Sequence, residues 1–283
     1  MSGTYWYYGL VVASLVLLIA ALQHRRDWKL LVLHLSIFSL IHPFEVVVLT
    51  TNGYVYLPGI LPAAADNFAG AFISDFFIIP ASAVFISAFS LSWRFILCFA
   101  ALFTGIDWYF TSLGIYQHFW WKSIYTGIGL IVLYAISAWL WSNLHKSRPP
   151  LLFRLLIIHF TYFALQSAIT FAVNRGGQLF TMQMASLPLD EPDKMMNVLI
   201  SIYQLIVSAT VVLCMGLKLP FRYRTLGIGV IVGLNWVIEH FGIFVPQANI
   251  SPYHIIFVPV LASVLLQILF KITRVDYLFP KCR

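Results

Sequence analysis

Nine stretches of mostly apolar residues follow one another along the chain, and they leave it few ways to fold. A helix needs about 20 such residues to cross the ~30 Å hydrocarbon core of a bilayer. Only 10% of the 283 residues are charged, whereas soluble domains carry about 25%. The sequence therefore predicts an all-α, polytopic membrane protein with nine transmembrane helices, at roughly 6–22, 29–50, 67–90, 94–115, 124–142, 152–174, 196–217, 223–244 and 252–272.

Basic residues fall mainly on one side of the predicted membrane. Of the 17 Lys and Arg residues, 14 lie in one alternate set of connections, and the other set holds Lys122, Arg175 and Lys194. Because basic connections stay in the cytoplasm during insertion, we expect a cell-membrane protein with its N-terminus outside and its C-terminus inside. The net charge of +7 forms no compact patch, so the expected partner is the lipid bilayer rather than nucleic acid, and the sequence names no protein partner.

The second half of the chain partly repeats the first. Residues 91–133 and 219–261 align without gaps and are identical at 11 of 43 positions. Four crossings return a chain to the side on which it started, so two four-helix units share one orientation. We therefore expect one extra N-terminal helix, 1–23, followed by two parallel four-helix repeats, 24–145 and 146–283.

Acidic side chains interrupt the apolar spans, and they lie in the predicted outer half of the membrane. An ionisable group near the bilayer centre costs about 2.5–3.5 kcal/mol on insertion scales, so such residues are candidates for function. Asp107 and Glu239 lie on equivalent helices of the two repeats, one turn apart in register. We expect an outward-facing polar cavity between the repeats, lined by Glu45, Asp75, Asp107, His118, Tyr125, Asn235, Glu239, His240 and Tyr253.

No motif indicates a metal, a cofactor or a defined reaction. His42 and Glu45 share a helix face, but this spacing is a weak metal pattern, and the HExxH and GxSxG motifs are absent from the sequence. The three cysteines are far apart. We therefore assign no catalytic residue and expect neither a metal nor a cofactor.

A segment of about 80 residues carries a resemblance to other proteins. It runs through "AAADNFAGAFISDFFIIP" and "SWRF" to "GIDWYFTSLGIYQHFWWKSIY", with Asp107, Gly114, His118, Trp121 and Tyr125 as the matching positions. In this pattern the segment resembles a group of small bacterial multi-pass membrane proteins that have no assigned activity, here as a tandem duplicate. The resemblance implies a fold rather than a function.

Three classes of function remain open. The first is binding or transport of a small solute or ion in the predicted cavity. The second is a structural role in an envelope complex, with the polar residues joining helices. The third is a membrane-embedded enzyme that acts on a lipid or isoprenoid, with carboxylates as general acid and base. A water-filled pocket favours the first class, a packed interior the second, and a lateral slot open to lipid the third.

Overall fold

A computed structural model describes residues 3–61, 63–173, 192–217, 221–240, 254–275 and 278. Within these residues the chain forms ten α-helices and two short β-strands. The helices are α1 (Gly3–Arg25), α2 (Lys29–Thr50), α3 (Ala63–Phe72), α4 (Ile79–Ala88), α5 (Trp93–Ser112), α6 (Ser123–Leu144), α7 (Leu151–Phe171), α8 (Pro192–Gly216), α9 (Phe221–His240) and α10 (His254–Ile272). The strands are β1 (Tyr54–Tyr56) and β2 (Tyr116–His118).

The helices follow the predicted spans closely. In the described part of the chain, seven helical stretches are long and apolar enough to cross a membrane, with α3 and α4 counting as one continuous stretch. The helices α9 and α10 coincide with the remaining two predicted spans. A mostly helical protein with several membrane-length helices is therefore confirmed, while the count of nine crossings stays a prediction.

The chain divides into two compact units, Met1–Arg148 and Pro149–Arg283. In the first unit, α1 packs against α4, α2 packs against α4 and α6, and α5 packs against α6. The boundary lies three residues after the predicted one at 145. The helix α1, which the sequence predicts as an extra N-terminal helix, packs on α4 within the first unit.

In the second unit, α7 packs against α8 and α10, and α8 packs against α9. Polar side chains join the first two of these helices. The Oγ atom of Ser208 lies 2.7 Å from His159 Nδ1, and Ser167 donates a 3.0 Å hydrogen bond to Gln204 Oε1. Such bonds hold transmembrane helices together where lipid offers no hydrophobic driving force.

The third predicted span is a helix with a π-helical segment, Ile73–Ile78, between α3 and α4. Pro80 explains it, because proline has no N–H to donate to the carbonyl of Phe76, four residues earlier. The N–H of Ile79 donates to Ser74, five residues back, which is the π pattern. The freed carbonyl of Phe76 accepts instead from His34 Nε2 on α2, at 2.8 Å.

Two connections that the sequence predicts as loops contain β-strands, which corrects the purely α-helical expectation. The strands β1 and β2 pair antiparallel, with Tyr54 opposite His118 and Tyr56 opposite Tyr116. Gly70 on α3 lets β1 approach, because a Cβ atom there would lie 2.4 Å from the Cβ of Tyr56. The small sheet is therefore held directly against the third span.

Candidate functional site

A cavity of about 630 Å³ lies within the first unit. It is enclosed by residues of α1, α2, β1, the π segment, α4, α5, β2 and α6. This volume is typical of pockets that take small molecules. Most of the lining side chains are aliphatic or aromatic, so the cavity is mainly apolar, whereas the sequence predicts a polar one. Three carboxyl groups, those of Glu45, Asp75 and Asp107, also line it.

Asp107 is the best-satisfied of the three carboxyl groups. It is buried on α5, where Ser123 donates a 2.5 Å hydrogen bond to Oδ1 and Thr126 donates a 2.7 Å bond to Oδ2. Thr126 in turn accepts a bond of 3.0 Å from the indole N–H of Trp121. Ser123 is the first residue of α6, so the carboxylate also lies at the positive end of that helix. Asp107 therefore joins α5 to the start of α6.

Among the ion pairs of the described residues, His118 on β2 is the base that lies beside Asp107. Its Nε2 atom lies 3.1 Å from Asp107 Oδ1, but the ring is not aligned to form a hydrogen bond with it. When His118 carries a proton, the pair attracts by charge. The sequence predicts both residues in the cavity lining; Asp107 is among the lining residues, and His118 lies beside it on the sheet.

Glu45 on α2 has one satisfied and one unsatisfied oxygen. The hydroxyl of Tyr54 donates a short hydrogen bond to Oε2, while no group of the described residues hydrogen-bonds to the buried Oε1. Burial, and then the nearby Glu45, raise the pKa of the Tyr54 hydroxyl well above its usual range. Tyr54 therefore stays protonated and remains a donor.

Asp75 is the least satisfied of the three. It lies on the π segment with 1% of its surface exposed, and neither carboxyl oxygen has a hydrogen-bond partner among the described residues. The closest basic atom among the ion pairs of the described residues is His42 Nδ1, 3.9 Å from Oδ2. A π segment changes the direction of the side chains that follow it, and such segments often mark functional positions in helices.

Tyrosine rings of the small sheet form one wall of the cavity. Alternate residues of a strand share a face, so Tyr54 and Tyr56 point the same way, as do Tyr116 and His118. The ring centroids of Tyr56 and Tyr116 are 4.8 Å apart, and those of Tyr54 and Tyr116 are 5.1 Å apart. Burial, followed by the charge of Glu45, raises the pKa of Tyr56 and of Tyr116 well above its usual range.

The apolar wall runs along one face of α6. Tyr125, Ile128, Val132 and Ile136 line the cavity at helical spacing and extend over roughly 16 Å of helix. Each is also at least 36% exposed, as is Phe44 on α2 at 56%. We call this exposed apolar wall of the cavity, formed by Tyr125, Ile128, Val132 and Ile136 of α6 with Phe44 of α2, the lateral slot.

The predicted site residues divide into three groups. Glu45, Asp75, Asp107 and Tyr125 line the cavity of the first unit, and His118 contacts Asp107. His240, in the second unit, is exposed at the end of α9 and stacks on Trp236, with 4.9 Å between ring centroids. The remaining calls lie outside the described residues or side chains: Asn235, Glu239 and Tyr253. A site shared by the two repeats therefore stays a prediction.

Several cavity residues were not predicted. Tyr7, Tyr54, Tyr56 and Tyr116 face the cavity, and Ser123 and Thr126 hold Asp107. The alternation in "YVY" at 54–56 and "YQH" at 116–118 is a strand signal, but three residues are too few to stand out in an apolar sequence. Within the described residues, no three His, Cys, Asp or Glu side chains are grouped so that they could hold a metal ion.

Fold and site together define a multi-pass helical membrane protein whose first unit encloses an apolar cavity with buried carboxyl groups. No family model, no curated protein and no solved structure matches the chain.

Proposed function

We propose that the first unit binds an amphipathic small molecule taken from the bilayer. One observation carries the proposal: a lateral apolar slot along α6 ends at buried carboxyl and tyrosine groups. The apolar body of the ligand lies against α6 and Phe44, where it replaces lipid. Its polar head reaches the end of the cavity that holds Glu45, Asp75 and Asp107.

The lining favours an amphipath over a small hydrophilic solute. A hydrated solute gains nothing from apolar walls and loses hydrogen bonds to water when it enters them. An alkyl chain fits such walls without penalty, and only its head needs polar partners. Among the ligands of a binding or transport protein, the lining therefore favours those that dissolve in the membrane.

Labelling with a photoactivatable probe tests this proposal. The full chain, reconstituted in nanodiscs, is irradiated with a long-chain alcohol that carries a diazirine, and labelled peptides are mapped by mass spectrometry. We expect labels on the α6 and α2 residues that line the slot. Labels spread evenly over all lipid-facing helices would refute the proposal.

Two glycines provide a matched pair of variants. Gly129 on α6 lines the slot, and a Cβ atom there meets nothing within 4 Å. Gly129→Trp therefore fills the slot without a backbone clash, and we expect slot labelling to fall. Gly105 on α5 is equally open but does not line the cavity, so Gly105→Trp leaves the labelling unchanged.

A second function is catalysis on a lipid or isoprenoid held in the slot. Two observations favour it: the lateral slot itself, which is the feature expected of a membrane-embedded enzyme, and the closeness of His118 to Asp107. An acid and a base 3.1 Å apart at the end of a cavity can transfer a proton to or from a bound substrate. Conversion of a bound probe by the wild type, abolished in His118→Gln, distinguishes catalysis from binding.

We infer that the whole chain crosses the membrane nine times as one helix plus two parallel repeats, with the N-terminus outside. The packing within each unit supports this. In each, the first helix of the predicted repeat packs on the second and the fourth, and the third packs on the fourth. His34 ends the segment "LLVLH" at 30–34 and His159 ends the similar "LLIIH" at 155–159, and each of these histidines contacts the next span of its own unit.

A further inference from the structure

Building on the proposed function, we propose that the head group of the ligand is a cation of the alkylammonium class, and that Asp75, supported by Glu45, is its counter-charge. The ammonium group occupies the space between these carboxyl groups and the tyrosine wall of the sheet. The inference names the ligand chemistry of the cavity, which an apolar slot alone does not determine.

The first step concerns unsatisfied acceptors. In the part of the chain that the structure describes, Asp107 has two hydroxyl donors, whereas Asp75 has none and the Oε1 atom of Glu45 accepts no hydrogen bond. Buried carboxyl oxygens are normally paired, so their open positions call for a donor or a cation from outside the protein. Asp75 is 1% exposed and still lines the cavity, so a ligand is the partner within its reach.

The second step concerns charge. The π segment packs against α1, α2, α3 and α4, and no Lys or Arg occurs among the described residues that line the cavity. Three titratable residues of α2 lie near the π segment. His42 lies 3.9 Å from Asp75, and Glu45 interacts electrostatically with Asp75. His34 donates a hydrogen bond to the Phe76 carbonyl. On α1, Tyr7 donates to Ile115.

The negative charge of Asp75 can therefore be neutralised in three ways: by a proton on the carboxyl group itself, by a proton on His42, or by a cation of the ligand. Two carboxyl groups that interact across a low-dielectric cavity cannot both ionise without such a charge. The absence of a fixed cation from the described lining favours a ligand that brings its own. An anionic head would meet only like charges here.

The third step concerns the aromatic wall. The rings of Tyr54, Tyr56 and Tyr116 lie within 5.4 Å of one another, and Trp121 lies 5.5 Å from Tyr54. Ammonium groups bind to the faces of such rings, with a gain of roughly two- to thirtyfold in affinity. A neutral head of the same size has no comparable gain.

The bound ammonium replaces one proton. Without the ligand, that proton lies on the Asp75 carboxyl group or on His42, 3.9 Å away, and it passes to water when the ammonium forms an ion pair with the carboxylate. The O–H or N–H bond to this proton is the one covalent bond that breaks. Affinity for the cation should therefore rise with pH, while affinity for a neutral amphipath stays constant.

Two probes that differ only in the head group test the inference. The long-chain diazirine alcohol and its trimethylammonium counterpart are compared on the full chain in nanodiscs at several pH values. We expect the cation to label the slot with at least about tenfold higher affinity than the alcohol, and more strongly as pH rises. Asp75→Asn should reduce the ratio of the two affinities, cation over alcohol, to about twofold, which is the smallest gain in affinity expected from the ring contacts alone.

Asp27→Asn is the matched control. Asp27 lies off the cavity, where it pairs with His145 at 2.9 Å, so the same loss of charge should leave the ratio unchanged. If the Asp75→Asn variant does not insert into the membrane, the pH dependence of wild-type labelling by the cationic probe tests the inference by itself. Equal, pH-independent slot labelling by both probes would overturn the cationic head but not the proposed function, whereas labelling of the slot by neither probe would overturn both.

Discussion

The Asp107 carboxylate is expected to stabilise the first unit, and Asp107→Asn measures how much. The amide keeps the shape of the side chain but presents one oxygen where the carboxylate presents two. Ser123 and Thr126 then compete for one acceptor, and the negative charge at the start of α6 is lost. Each of these changes weakens the contact between α5 and α6.

The magnitude follows from values measured in membranes. A side-chain hydrogen bond between transmembrane helices contributes about 0.6 kcal/mol on average and about 1.7 at most, less than a charged bond in a soluble core. The interaction with the helix end adds about 0.3–1 kcal/mol. Losing one bond and the charge should therefore lower the free energy of unfolding by about 1–3 kcal/mol.

Equilibrium unfolding in mixed micelles, followed by far-ultraviolet circular dichroism, provides the assay. Thr111→Val is the control, because the Thr111 hydroxyl donates to the backbone carbonyl of Asp107 within α5 and joins no second helix. A double-mutant cycle between Asp107→Asn and Thr126→Val should give a coupling of about 0.6–1.7 kcal/mol. Strict additivity in this cycle would show that the carboxylate does not hold α6 through Thr126.

Three further predictions concern the sheet and the topology. Gly70→Ala should destabilise the protein by about 1–3 kcal/mol because its Cβ meets β1, while Gly105→Ala on the open face of α5 should be neutral or slightly stabilising; equal effects would contradict the close approach. Folding raises the pKa of Tyr54, Tyr56 and Tyr116, so these residues stay protonated at a pH where they ionise in the unfolded chain. The free energy of unfolding should therefore fall as the pH rises above about 10, and a profile that stays flat there would count against the burial of these residues. A reporter active only outside the cell should be silent at the C-terminus, and activity there would reverse the predicted orientation.

The sequence by itself determines the helices, because membrane-length apolar runs have no other stable form in lipid. The observed bounds of α2, Lys29–Thr50, are those predicted, and the same physics makes Asp75 and Asp107 conspicuous, since an acid in an apolar run must be explained. Four of the nine predicted site residues consequently line one cavity. The equivalent positions of the second unit, including Glu239, stay predictions.

Only the tertiary structure decides what surrounds these acids. Asp107 and Asp75 look alike in the sequence, yet within the described residues two hydroxyl groups bond to Asp107 and none bonds to Asp75, because donors come from residues that neighbour them only in space. The tyrosine wall depends on pairing between strands about 60 residues apart, each too short to form alone. Likewise, Pro80 leaves the carbonyl of Phe76 without its helical donor, but only the tertiary structure brings His34 from another helix to donate to that carbonyl. Local periodicity encodes where a chain crosses lipid, whereas the chemistry of the cavity depends on contacts between distant segments.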